Sequence, residues 1–581
     1  RAALPAPEGD EREREATFVA PSTPAEEALA SIWAGLLRLD KVGVHDNFFE
    51  VGGDSILSIQ IVSRARRAGL VITPRQIFQH QTIAQLAAVA QAQGTATPLE
   101  EGPVVGPVPL TPIQRRFLDY DFADPQHWNQ SLFLEVRETL DPVLLEEVLA
   151  ALLFRHDTLR LRVSRSDSAL EQRISAPSPE VAPLLWRIDL TTLDEAEQRA
   201  ALEETAERAQ ASLDLAKGPI LRVVLFDLGE GKPARLLWVI HHLAVDGVSW
   251  RILLADFWSA YESRRRGEAI RLPPRQGSFK RWAEALGAHA RTPAVESEEP
   301  FWLSAPRARI KSLPIDHRKG DDIESSTRTV IASLSEEETK TLLREVPRAY
   351  RTQMDDVLLT ALAQTISPWA KSGLTLVDLE GHGREDLFPG LDLGHTVGWF
   401  TVVYPVVLEL SPGKPPGEAL KSIKEQLRAV PSKGIGYGLL RYLREGEPLS
   451  GRLRSLPRAE IGFNYLGQLD QGLPEASPFR FARETSGPDH SPRARRRYLL
   501  ELNASIARGQ LTLKWSYSEG RYRRPTVEQL SARYLVALRA LIAHCTSPEA
   551  GGYTPSDFKR AELSQDVIDM LAALDSGEPH Q

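Results

Sequence analysis

Two places in this chain of 581 residues carry side chains in positions suited to chemistry. The first is Ser55, in the run Asp46-Asn47-Phe48-Phe49-Glu50-Val51-Gly52-Gly53-Asp54-Ser55-Ile56-Leu57. Gly52 and Gly53 permit a sharp backbone turn, and Asp54 is a favourable N-cap. Ser55 then falls at the first position of a helix whose apolar residues Leu57, Ile61 and Ala65 recur every four residues. Its hydroxyl stands at the positive end of that helix, where free N–H groups favour an attached phosphodiester. On local chemistry alone the plainer reading is a capping pair. The second place is His241-His242-Leu243-Ala244-Val245-Asp246-Gly247, directly after the apolar run Leu236-Leu237-Trp238-Val239-Ile240. That run reads as a buried strand, so the histidines emerge where it ends; Asp246-Gly247 is a turn signal and a helix follows. Taken alone, the pair also reads as packed, hydrogen-bonded histidines, and as a zinc site it lacks a full ligand set.

The elements around these residues divide the chain. Thr23-Pro24-Ala25-Glu26 is a capping box with proline at N1, followed by Leu29, Ile32, Trp33, Leu36 and Leu37 at helical spacing. Thr82-Ile83-Ala84-Gln85 opens another short helix with Ile83, Leu86 and Ala90 inward. Between Ala92 and Leu110 the composition turns rich in Pro and Gly and loses both apolar periods, which reads as a tether. Beyond Leu110, short β-branched runs alternate with helical segments such as 142–154 and 194–212, a mixed α/β pattern. With 42% hydrophobic and 25% charged residues the chain can bury more than one core. The net charge of −8 argues against nucleic acid or membrane as partner. Cys545 is the only cysteine, which excludes an intramolecular disulfide. Neither a signal peptide nor a bilayer-length apolar run is visible, so a cytoplasmic location is expected. The chain starts with arginine, and Arg1–Pro7 resembles the end of an adenylation domain, as in a piece of a longer protein.

The run DNFFEVGGDS, residues 46–55, resembles the phosphopantetheine attachment motif of peptidyl carrier domains in nonribosomal peptide synthetases. That resemblance places a covalent 4′-phosphopantetheine on Ser55. HHLAVDG, residues 241–247, resembles the HHxxxDG motif of the condensation-domain superfamily. The family's fold is two chloramphenicol-acetyltransferase-like lobes. Its pattern puts His242 at the reaction centre, His241 beside it, and Asp246 in a structural role held by an arginine, for which Arg160 is the candidate. Further segments resemble the epimerization branch: Glu380-Gly381-His382-Gly383-Arg384-Glu385, Thr396-Val397-Gly398-Trp399-Phe400-Thr401 with Tyr404-Pro405, 431–438, and Phe463-Asn464-Tyr465-Leu466-Gly467. Pro112-Ile113-Gln114 and Trp128-Asn129-Gln130 resemble its opening segments, and GGDS is the carrier spelling usual upstream of it. Two departures are Arg155, where a histidine is often found, and His127-Trp128 for the usual HHF-type spelling.

The resemblance implies a small all-α four-helix carrier bundle followed by an α/β epimerization domain. Its expected divisions are 1–20 linker from an adenylation domain, 21–92 carrier, 93–109 linker, 110–285 and 286–560 the two lobes, and 561–581 a tail. The implied activity is isomerase chemistry on a carrier-bound aminoacyl or peptidyl thioester, giving an L/D mixture. The thioester acidifies Cα–H, yet removal needs a positioned base, and inversion needs a proton returned on the opposite face. His242 and Glu380 are the implied pair; a carboxylate buried by apolar walls has a raised pKa and can both accept and donate. Asn464 and Tyr465 are candidates to bind the thioester oxygen or orient the base, and Arg384 to hold Glu380. No metal and no freely bound cofactor are expected. Expected partners are the upstream adenylation domain, a downstream condensation domain and a phosphopantetheinyl transferase. Val567, Ile568, Met570, Leu571 and Leu574 form an amphipathic pattern suited to docking or to a solvated tail. Amide-forming condensation and a catalytically silent docking module are the alternatives.

Overall fold

The computed structural model describes residues 18–570 apart from 38, 50, 54, 93–101, 121, 167–168, 178–183, 274, 276, 469–477, 559–562 and 569. The readings of Asp54 as a cap, of the first seven residues, and of Leu571 and Leu574 therefore fall outside the described residues. The chain divides into two compact units, one built on the residues up to Glu101 with Pro273–Ser278 and Arg384–Thr396, the other on the remainder.

The first unit contains the expected four helices, Pro24–Leu37, Ser55–Arg67, Pro74–Gln79 and Ile83–Val89. The capping box closes as its spelling predicts: the Glu26 amide donates to Thr23 Oγ1 at 3.2 Å and the Thr23 amide to Glu26 Oε2 at 3.0 Å. Leu29, Trp33, Phe48, Leu57, Ile61, Ala65, Ile83 and Leu86 are buried together, each large one worth roughly 1.5–3 kcal/mol. Gly52 has φ 103°, and a Cβ on Gly53 would lie 2.4 Å from the Phe48 ring, so the turn before Ser55 requires both glycines. An unforeseen pairing also appears: β1 (Leu70–Val71) and β2 (Gln91–Ala92) are antiparallel and join the end of the second helix to the residues after the fourth.

In the second unit the strands are β3 (Gly106–Pro107), β4 (Asn129–Val136), β5 (Leu161–Ser166), β6 (Ala169–Ile174), β7 (Leu185–Asp189), β8 (Leu221–Asp227) and β9 (Ala234–His241). There follow β10 (Thr327–Ser333), β11 (Leu374–Gly381), β12 (Val402–Glu409), β13 (Ile461–Gln468), β14 (Phe479–Phe481), β15 (Leu500–Ala507) and β16 (Gln510–Ser518). They form a five-stranded sheet in the order β14-β4-β9-β8-β7, a six-stranded sheet in the order β10-β16-β15-β13-β11-β12, and a small sheet β3-β6-β5. Each large sheet is covered by helices, Pro142–Arg155 and Glu195–Gln210 among those following the first, Met354–Ala370 and Arg524–Cys545 packing in the core of the second. This is the two-lobed α/β arrangement. β14 comes from late in the chain yet pairs with β4, so the second half of the sequence lends a strand to the first sheet. The tether reading extends too far: β3 pairs with Ile174 and Arg173, and the Val104 amide donates to Asp157 Oδ1, so residues from 102 onward belong to the folded unit.

Candidate active site

β9 is buried along its length, as its apolar run predicts, and delivers the histidine pair at its end. His241 is fully buried; its Nε2 donates to the Pro125 carbonyl at 2.8 Å and its Nδ1 accepts the Leu243 amide at 3.1 Å. Burial drives its pKa down to about 3, so it is a neutral structural group. His242 is half-buried, and its main-chain amide is held by the Trp128 carbonyl. Its Nδ1 lies 2.9 Å from the Val245 carbonyl, which can only accept, so the ring proton sits on Nδ1 and Nε2 carries a lone pair. Burial, followed by the positive charge of Arg497, lowers its pKa to about 4.

Gln130 fixes that tautomer from the other side, and sequence reasoning did not single it out. Trp250 Nε1 can only donate and reaches Gln130 Oε1 at 2.9 Å, so the Gln130 amide nitrogen faces His242 Nε2, at 3.1 Å. Trp399 packs on the imidazole with ring centroids 4.2 Å apart. Asp246 caps the helix Gly247–Arg265 through the Ser249 amide at 2.8 Å and accepts the Phe400 amide at 3.1 Å, binding the histidine loop to the segment after β11. Arg160, the candidate partner of Asp246, makes an ion pair nearer to it in the chain. Arg160 pairs with Asp157 at 2.7 Å and donates to the Leu153, Ser175 and Val104 carbonyls, because its position next to β5 turns it toward its own helix end.

Glu380 lies on β11 itself, the strand running further than its apolar stretch suggests. Its side chain is exposed to water. Desolvation, then the neighbouring charge of Glu501, raises its pKa to about 7, against the pull of Arg497 and Arg116. Asn464 Nδ2 donates to Glu380 Oε2 at 3.0 Å. Asn464 is on β13, the parallel neighbour of β11, so sheet pairing makes the contact between residues 84 apart. Tyr465, one residue on, alternates to the opposite face of the strand and packs against the core of the second lobe. Arg384 is buried, and its Nη1 donates to the Leu393 and Thr396 carbonyls within its own loop. Gly383 has φ 66°, and a Cβ there would strike the Phe400 carbonyl oxygen, which accounts for the glycine between His382 and Arg384.

Ser55 is the first residue of the helix Ser55–Arg67, preceded by the Gly52-Gly53 turn. A helix start in that position suits a phosphodiester, so the local backbone fits the phosphopantetheine group. When attached, that group supplies a terminal thiol on which an acyl chain is held as a thioester. Among the described residues no helix is long and apolar enough to cross a membrane.

Residues 27–90 match the family model described as a phosphopantetheine attachment site, and residues 104–564 match that of the condensation domain. The chain is 48% identical over 576 residues to one subunit of the linear gramicidin synthase of Brevibacillus parabrevis, covering 98% of this chain and 7% of that protein. It is 44% identical over 574 residues to another subunit of the same synthase, covering 98% and 11%; the chain thus spans a small fraction of these relatives. Among solved structures, the epimerization domain from the third module of tyrocidine synthetase B superposes with a TM-score of 0.71 at 36% identity, covering 78% of this chain and 99% of that one. The X-domain from teicoplanin biosynthesis, at 22% identity and a TM-score of 0.59 with 78% and 98% coverage, shares the fold. The chain belongs to the condensation-domain family of nonribosomal peptide synthetases, here preceded by a phosphopantetheine-bearing carrier domain.

Proposed function

We propose that the condensation-family domain is an epimerase: it takes the aminoacyl or peptidyl thioester borne at Ser55 and interconverts the L and D configurations at Cα. The observation that carries this reading is Glu380, a water-exposed carboxylate with a pKa of about 7, held by Asn464 in the same unit as a neutral His242. Amide formation asks for one group to take a proton from an amine. Inversion asks for two, one removing the Cα proton and one returning a proton on the other face. A carboxylate divided between its two forms near neutral pH serves either way, and the His242 Nε2 lone pair supplies an acceptor. The Cα–H electrons move into the thioester carbonyl as an enolate and return to Cα when it is reprotonated, so no oxidant or metal takes part in the step. The 36% identity to an epimerization domain over nearly its whole length supports the same reading. An upstream adenylation domain would load Ser55, after modification by a phosphopantetheinyl transferase, and a downstream condensation domain would take the D-configured product.

The test is to load Ser55 with an L-aminoacyl or N-acyl-aminoacyl phosphopantetheine in heavy water and record Cα deuterium uptake and D/L ratio. Uptake with inversion, abolished or sharply slowed in His242→Ala and Glu380→Gln, is expected. Amide-forming condensation is the second reading, favoured by the match of residues 104–564 to the condensation model. It predicts no uptake on a single loaded carrier and product only when an acceptor carrier is added.

A further inference from the structure

Arg497 is a charged side chain with no assigned task. Its guanidinium lies 4.2 Å from the Trp128 ring centroid, 4.8 Å from that of Tyr120 and 5.7 Å from that of Phe122, a stack of three aromatic faces. Its Nε and Nη2 are buried and have no hydrogen-bond partner among the described residues. No carboxylate stands within ion-pair distance of it among those residues, because the nearby acids are engaged. Asp378 is bound by Arg116 at 2.8 Å and by the Tyr498 hydroxyl at 3.1 Å, and Glu380 by Asn464. Aromatic faces offset only part of the cost of desolvating a cation, and buried donors are rarely left unmet without a use. Arg497 is also near the reacting pair: its charge acts on both His242 and Glu380.

We propose that Arg497 is a further catalytic residue, whose unpaired guanidinium N–H groups receive the carbonyl oxygen of the substrate thioester and hold the negative charge it gains as the enolate. This rests on the epimerase reading, and it supplies what that reading otherwise lacks. Removing the Cα proton leaves an electron pair that must reside on the thioester oxygen, and neither a neutral imidazole nor a carboxylate stabilises an oxyanion. The aromatic stack fixes the fork before substrate arrives, so little reorganisation accompanies charge development. Trp128 serves both functions, since its carbonyl holds the His242 amide while its ring supports Arg497.

The experiment compares wild type, Arg497→Met and Arg497→Lys, all loaded at Ser55 with the same N-acyl-aminoacyl phosphopantetheine, by initial Cα deuterium uptake. Losing an oxyanion donor slows such steps by about 10² to 10³, the range expected for Arg497→Met, with Arg497→Lys between it and wild type. Added guanidinium is expected to restore part of the Arg497→Met rate, which a purely structural role would not allow. A second readout needs no variant: a ¹³C-labelled thioester carbonyl on the wild-type chain should show its infrared stretch at lower wavenumber than on the isolated loaded arm. If the wild type exchanges but Arg497→Met stays within threefold of it, or if the wild-type carbonyl band is unshifted, the assignment to Arg497 fails while the epimerase reading stands. If the wild type does not exchange at all, both fall.

Discussion

The pairing of a carboxylate of pKa about 7 with an imidazole of pKa about 4 makes a specific pH–rate profile. A two-group inversion works only when the pair holds one proton between them, whichever direction is followed. Below the imidazole value both groups are protonated and no base is left; above the carboxylate value neither carries a proton to return. The kcat/KM for Cα inversion should therefore be bell-shaped, broadly maximal near pH 5.5, and falling tenfold per unit on each side. With the alkaline limb near 7, about a tenth of the maximum remains at pH 8 and about a hundredth at pH 9. The assay is quenched-flow measurement of the D/L ratio on a carrier loaded with an N-acylated residue, so that no substrate amine titrates in the window, with uncatalysed exchange of the free thioester subtracted. Forward and reverse reactions must share the same profile, because they draw on the same singly protonated pair. A rate that climbs through pH 7 to a plateau would refute the reasoning, since it would mean that ionised Glu380 suffices and water returns the proton.

Other outcomes follow from the same contacts. Glu380→Gln should raise the melting temperature at about pH 8 and have little effect at about pH 5: the folded pKa lies above that of an unfolded glutamate, so folding favours the protonated form and loses stability as pH rises toward 7. Equal effects at both pH values in a differential scanning experiment would contradict this. Gln130→Leu should lower kcat by about tenfold with little change in melting temperature, because it frees the ring of His242 without opening the core; an unchanged kcat would remove Gln130 from the site. Asp378→Asn takes away a nearby negative charge and releases Arg116, both of which favour ionised Glu380, so the alkaline limb should move below its wild-type position. A limb that stays in place in the folded variant would show that Glu380 is not the group it reports. Asp246→Ala should cost about 1–3 kcal/mol in denaturant unfolding, through the lost cap and the stranded Phe400 amide; full stability would make the cap dispensable.

Much of the architecture is written locally. Leu57, Ile61 and Ala65 repeat at helical spacing and are buried as that spacing requires, and 236–240 is apolar without interruption and forms the inner part of β9. Asp246 reads as a structural acid, and its contact with the Phe400 amide comes from 154 residues away, a pairing that no local period encodes. The ion pair of Arg160 with Asp157, by contrast, joins residues three apart. Tyr465 and Asn464 adjoin in sequence and face opposite sides of a strand, so a motif naming both could not say which one meets Glu380 until the sheet was known. Gln130 is legible only as part of an opening segment, with no role attached, and Arg497 left no mark of its own. Their meaning lies in what is absent or oriented around them: a second amide contact fixed by Trp250, and a missing carboxylate.

β11 shows how one strand makes two carboxylates different. Asp378 and Glu380 alternate on the same face, two residues apart, so backbone geometry treats them alike. Asp378 meets a guanidinium and a phenol, and its charge is answered within the protein. Glu380 meets an uncharged amide at 3.0 Å, which orients it without neutralising it, and the like charge of Glu501 adds to the effect of burial. Arg497, whose charge acts on Glu380, is drawn into the stack of Tyr120, Phe122 and Trp128. Had that arginine closed on Glu380, the pair would form a strong charge-assisted contact and hold the carboxylate ionised, unable to return a proton. Keeping the two apart leaves one group able to move a proton near neutral pH and the other able to receive an oxyanion, and the aromatic stack is the part of the fold that maintains the separation.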